Sequence, residues 1–167
     1  MLRRIGACKE HILGVQSNLS NVYQALERHE EAVRMRLEVY SGYLKLRGEE
    51  ALVTLQCAGN YAMSLGDLRR FEEAKPLLRK TIPVAKRVLG ESHDITLKMR
   101  GVYAMALYKD ANATLDDLRE AVTTLEDAER IARRLFGSAH PLTQRIGGDL
   151  RISRGMLRDR ETPSANA

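Results

Sequence analysis

The chain repeats itself, and this restricts its fold more than any other property of the sequence. The phrase VLGESHDIT at residues 88–96 returns as LFGSAHPLT at residues 135–143. Gly48 and Thr54 are six residues apart, as are Gly90 and Thr96, and Gly137 and Thr143. The interval between successive glycines is 42 residues and then 47. The stretches between them keep phase. AGNYAMSL from Ala58 matches RGVYAMAL from Arg100, and NLSNVY begins at Asn18, 42 residues before Asn60. RHEEA, RFEEA and LREA end in Ala32, Ala74 and Ala121, at intervals of 42 and 47. The five extra residues of the third unit therefore belong to YKDANA, residues 108–113. A period of this length marks a solenoid, in which each unit hides its apolar side by stacking on its neighbours.

Each unit reads as two helices. In the second unit Leu55, Ala58, Ala62 and Leu65 share one face at helical spacing. Gly66 and Asp67 then point to a turn. Phe71, Ala74, Leu77, Leu78, Ile82, Ala85 and Val88 form the next stripe, which stops at Gly90. Glycine there accepts the left-handed conformation that ends many helices. Pro141 suits the first turn of the following helix, and Asp94, one unit earlier, is placed to cap or favour a helix start. Small residues recur in phase at Ser20, Ala62 and Ala104, and at Ala32, Ala74 and Ala121, where they let two helices approach. Tyr23, Leu65 and Leu107 fill the space beside the first set. Pro83 lies in mid-helix, where it costs ~3 kcal/mol and predicts a kink; Pro76 is nearer the helix start and better tolerated.

Composition agrees with a helical core of Leu, Ala, Val and Met. Apolar residues are 44% and charged residues 29%, which excludes a long disordered or collagen-like chain, and aromatics are only 5%. The net charge of +5 is mild, and segments such as LRRFEEAKPLLRK interleave bases with acids, as solvated helix faces do. No apolar run approaches membrane-spanning length. Cys8 and Cys57 form no CxxC and no disulfide framework, which points to a reducing, intracellular and cytoplasmic setting, with Cys57 a small buried hydrophobe. The histidines make no metal motif, and no phosphate-binding loop or convergent acid, base and nucleophile set is present. No catalytic residue, metal site or cofactor is expected, and the chain reads as no enzyme. His93 and His140 share a repeat phase, which assigns them a structural hydrogen bond in the interhelix loop. NAT at 112–114 matches a glycosylation pattern, but nothing else points to secretion.

The small/large signature around Ala62 and Leu65, FEEA at 71–74 and the recurring LGxxHxxT phrases make the chain resemble tetratricopeptide repeats of the long, 42-residue kind found in kinesin light chains. The resemblance covers residues 13–143. Leu52 and Asp94 stand where the pattern has proline, and Arg36 stands where later units have Leu78 and Leu125. No sustained heptad coiled coil accompanies the repeats. The fold implied is an all-α, right-handed α-solenoid of about three helical hairpins, 13–48, 52–90 and 94–137, with a C-terminal capping helix over 142–159. In the cap, Leu142, Ile146, Leu150 and Leu157 form one apolar stripe, with Arg145, Arg151, Arg154 and Arg158 largely elsewhere. Gly147, Gly148 and Gly155 weaken this helix, each by about 1 kcal/mol relative to alanine. Residues 160–167 are expected to form a disordered tail.

The same phase run backwards puts Ile5-Gly6 in an interhelix loop, making residues 1–12 the tail of an upstream helix or an N-terminal extension. An organellar presequence is the competing reading of MLRRIGACKEHIL, weakened by Glu10 and the lack of serine. The first helix would then expose Ile12, Val15 and Leu19 and invite contact with another copy or a larger assembly.

The resemblance implies a concave groove lined mainly by the first helix of each unit. Its lining is expected at Asn18, Asn21, Gln56, Asn60, Met63, Lys98, Val102, Met105 and Arg145. Asparagine both donates and accepts, so it pairs with a peptide backbone of any sequence. Lys98 and Arg145 favour acidic partners, and Met63 and Met105 are adaptable apolar contacts. The lysine and asparagine pattern that clamps a terminal carboxylate in chaperone-binding relatives is not present. The expected function is a non-catalytic scaffold or adaptor that holds an extended peptide or helix of another protein. The alternatives are a part or structural subunit of a larger assembly and, less favoured by the sparse aromatics, an RNA-binding helical repeat. YKDANA is a second contact or, more simply, a tolerated loop or extra helical turn.

Overall fold

The computed structural model describes residues 2–162, with side chains from Cys8 onward. These residues form seven α-helices and no strand: α1 (Leu2–Ala25), α2 (His29–Arg47), α3 (Leu52–Asp67), α4 (Phe71–Leu89), α5 (Asp94–Tyr108), α6 (Leu115–Phe136) and α7 (Pro141–Glu161). Each helix packs on the next, and α5 also packs on α3 and α7. Among the described residues no helix meets one more than two places away along the chain. That is an all-α solenoid, with its core strung along its axis.

The repeated letters now have physical roles. Acids fall in the first turns of the second helices: Glu30 and Glu31 in α2 and Glu72 and Glu73 in α4, from the EEA motifs, and Asp116 and Asp117 in α6, just ahead of LREA. Lys45 and Arg47, Lys86 and Arg87, and Arg133 and Arg134 occupy the last turns. Both placements oppose the helix dipole. Ala32, Ala62, Ala74, Ala104 and Ala121 are completely buried, and Ser20 nearly so. Leu65 and Leu107 are buried beside them, whereas Tyr23 is half-exposed under the Arg28 guanidinium, 4.6 Å from its ring centre.

Several local expectations change. Gly48, Gly90 and Gly137 do have positive φ (81°, 91° and 82°), but ψ is 174°, 161° and 169°. This is the mirror-extended region, reserved for glycine even more strictly than the left-handed helical one. The turn expected at Gly66 begins later. Gly66 is buried inside α3, and a Cβ there would meet Met105 Cε at 2.5 Å. The left-handed residue is Arg69 (φ 59°), matched one unit earlier by Glu27 (φ 58°). The helix cap expected of Asp94 is supplied by His93, whose Nδ1 accepts from Ile95 N at 3.2 Å. His140 does the same for Leu142 N at 3.2 Å. Each imidazole satisfies an amide that the first helical turn leaves free.

The loop expected at Ile5-Gly6 is absent, because α1 runs unbroken from Leu2. One glycine does not stop a helix unless the chain behind it turns away. α4 likewise continues through Pro76 and Pro83. The insertion divides between a longer turn and an earlier start to α6. In that turn Asp110 accepts from Asn112 N at 2.9 Å and from Lys75 Nζ at 2.7 Å. Thr114 and Asp117 close a capping box at the start of α6. The C-terminal helix extends to Glu161, and residues 163–167 of the expected tail lie outside the described residues.

Candidate functional site

The first helices of successive hairpins stand side by side, and between α3, α5 and the start of α7 they enclose a cleft of about 480 Å³. Its close packing comes from Gly59, where a Cβ would lie 3.3 Å from Met99 Cγ on α5. Gln56 and Asn60 project from α3 and are exposed, with Met63 beside them. Lys98 projects from α5 and Arg145 from α7. The floor is apolar, formed by Ile95, Met99 and Val102.

Six of the nine expected groove residues therefore meet in one cleft: Gln56, Asn60, Met63, Lys98, Val102 and Arg145. Val102 is only 3% exposed, so it acts as floor and inter-helix packing more than as a contact surface. Three residues lie elsewhere. Met105 is half-buried against Gly66, filling the gap left by the missing side chain. Asn18 and Asn21 are exposed on α1, outside the cleft lining. Where later units place a leucine, the Arg36 guanidinium reaches between α1 and α3, donating to Asn21 Oδ1 at 3.1 Å, to the buried Ser64 hydroxyl and to Asn60 O at 3.5 Å. Unlike α3 and α5, the α1 and α3 backbones do not approach closely among the described residues, and Gln24 Nε2 reaches across to donate to Asp67 Oδ2 at 3.2 Å.

Periodicity alone did not point to the rim formed by Leu52, His93 and Asp94. Its signal is nonetheless in the sequence, since the loop phrase immediately precedes each first helix and so borders the face those helices present. Asp94 accepts from Lys98 Nζ at 2.7 Å and lies 3.1 Å from His93 Nδ1. The Lys98 hydrogen bond holds the Asp94 carboxyl below the usual carboxylate range. Lys98 is thus partly neutralised from within. Arg145 has no acidic partner among the described residues and gives the cleft its positive character.

A second cleft, of about 330 Å³, lies between α4, α5 and α6. Its polar groups mostly satisfy one another. Arg79 Nε donates to Tyr103 Oη at 2.9 Å, and Tyr103 Oη donates to Glu120 at 2.8 Å. The buried Arg100 donates to Thr124 O at 3.3 Å and lies 3.8 Å from Asp127. This arrangement ties helices together and presents no nucleophile beside a base. Burial pushes the Cys57 thiol up to about 11, leaving it protonated and unreactive at neutral pH. Among the described residues no cluster of His, Cys, Asp and Glu could hold a metal ion, and no helix is long and apolar enough to cross a membrane.

Residues 11–87, which span most of α1 and nearly all of α2 to α4, match the tetratricopeptide repeat family model. The chain carries tetratricopeptide repeats over this segment. Its third hairpin, α5 and α6, continues the tetratricopeptide phase beyond the matched segment. No curated protein sequence matches the chain. Among solved structures, BtubC (BKLC) from P. vanneervenii is similar, with 18% identity and a TM-score of 0.68. The match covers 95% of this chain and 68% of BtubC. At that identity the likeness establishes the fold. Tetratricopeptide repeats generally mediate contacts between proteins and are generally non-catalytic.

Proposed function

We propose that this tetratricopeptide protein is a scaffold or adaptor, and that the cleft between α3, α5 and α7 receives an acidic extended segment or helix of another protein. The observation that supports it most is the convergence of Gln56, Asn60, Lys98 and Arg145, from three different helices, over an apolar floor. The amides offer donors and acceptors to a peptide backbone, and the two cations favour carboxylates. Met63 supplies an adaptable apolar wall. An intracellular, cytoplasmic setting accords with the free thiols of Cys8 and Cys57.

The test is affinity capture from cell lysate with wild type beside the double variant Asn60→Ala/Lys98→Glu. Both side chains are exposed, so the variant should fold. Binding partners should fall at least tenfold in recovery, corresponding to about 1.4 kcal/mol or more. Equal recovery of every partner would remove the cleft from consideration.

A further inference from the structure

The outer face of α1 is apolar and uncovered. Ile12, Val15, Leu19, Val22 and Leu26 are 53%, 67%, 39%, 51% and 61% exposed. Their spacing alternates three and four residues, and Cys8, also exposed, extends it one step. Such a stripe stays on one side of a helix. It is too short to announce a coiled coil from sequence, which takes three or four heptads.

The repeat shows what this face is shaped to receive. Ile12, Val15, Leu19 and Val22 correspond in phase to Thr54, Cys57, Tyr61 and Ser64 of α3, and to Thr96, Met99, Tyr103 and Ala106 of α5. All eight counterparts are buried. The second helix of the preceding hairpin helps cover them. Tyr40 of α2 stacks on Tyr61, with centroids 6.4 Å apart, Arg36 of α2 bonds Ser64, and Arg79 of α4 bonds Tyr103. On α1 the same positions are wholly apolar at Ile12, Val15, Leu19 and Val22, and among the described residues no helix covers them.

We infer that α1 is a self-recognition helix, pairing antiparallel with α1 of a second copy. The stripe is symmetric about Ser17: Val15 meets Leu19, Ile12 meets Val22, and Cys8 meets Leu26 of the second copy. Of the flanking positions Lys9, His11, Gln16, Asn18, Tyr23 and Ala25, this register sets Lys9 opposite Ala25, His11 opposite Tyr23 and Gln16 opposite Asn18, so no two like charges meet. An apolar hollow of about 190 Å³ borders the stripe at Ile12, lined also by Lys9, Leu13, Gly42, Lys45 and Leu46. Gly42 keeps this site shallow, since Leu13 already occupies the space of a Cβ there. The other exposed end of the solenoid fits less well. Ile152 and Met156 on α7 sit among Arg145, Arg151, Arg154 and Arg158, and α1 offers no acidic row to meet them.

The experiment is sedimentation equilibrium of the full chain over a wide concentration range, wild type beside Val15→Glu. Wild type should dimerise. The variant should bind itself at least ~30-fold more weakly, with unchanged circular dichroism and thermal midpoint, because residue 15 is the most exposed of the stripe. Orientation is read by oxidation. Leu26→Cys should form an interchain disulfide with Cys8, and wild type should not cross-link, since antiparallel pairing holds the two Cys8 residues about 27 Å apart. A wild-type monomer at every concentration, a dimer indifferent to Val15→Glu, or a Cys8–Cys8 cross-link in wild type would each overturn the inference. The cleft variant Asn60→Ala/Lys98→Glu should dimerise normally, which separates this surface from the proposed groove.

Discussion

Arg36 shows how one side chain can bend a repeat away from its own pattern. In phase, the pair Arg36 and Ser64 corresponds to Leu78 and Ala106, both completely buried. The guanidinium is partly buried, burial pushes its pKa below the ordinary arginine value, and its Nε has no hydrogen-bond partner. A polar bridge of this kind tends to be matched or exceeded by well-packed hydrocarbon. Replacing both residues together, Arg36→Leu with Ser64→Ala, should raise stability by about 1–2 kcal/mol in urea denaturation. Ser64→Ala alone should lower it by about 1 kcal/mol, because the guanidinium loses a partner it still needs. The sequence displayed the mismatch at position 36. It did not display the consequence, because the length and hydrogen bonding of an arginine, not its position in a period, decide how far two helices stand apart.

At the level of single helices, the ends carry most of the information. Three phase-related glycines end α2, α4 and α6, and two phase-related histidines open α5 and α7. The space around Gly90 is open, so a methyl group would meet no atom there. Its φ of 91° is the obstacle. Gly90→Ala should therefore destabilise the fold by about 1–3 kcal/mol, read as a lowered denaturation midpoint. The same change at Gly147 or Gly148 of α7, where the helix holds ordinary backbone, should have the opposite sign, stabilising by up to about 1 kcal/mol. The stop signals were legible because a glycine recurring at a fixed interval marks a backbone angle that side chains resist. The histidine caps were not, because an imidazole rarely caps a helix. Only their equal phase hinted at a structural task.

In the whole molecule, stability follows neighbour relations. Among the described residues, α5 is packed by α3, α4, α6 and α7, whereas α1 packs its backbone closely on α2 alone. Long-range cooperation is weak in a solenoid, so opening should begin where neighbours are fewest. Hydrogen exchange should find the α5 amides slowest and those of α1 fastest in dilute protein. Uniform protection across all helices would contradict a stacked array. If α1 pairs with a second copy, its protection should rise with concentration while that of α5 stays constant.

The order of helices, their pairing into hairpins and the buried alanines followed from periodicity alone, because a side chain recurring at 42 residues faces the same neighbour each time. For the same reason, six of the nine residues expected to line a groove come together in one cleft. Tertiary packing decided the rest. Asn18 and Asn21 lie outside the cleft, where Arg36 bridges α1 and α3, and Met105 fills the gap that Gly66 leaves. A repeat fixes which faces meet; the volume and polarity of the particular residues at each meeting fix how closely, and so whether a side chain is left free to bind.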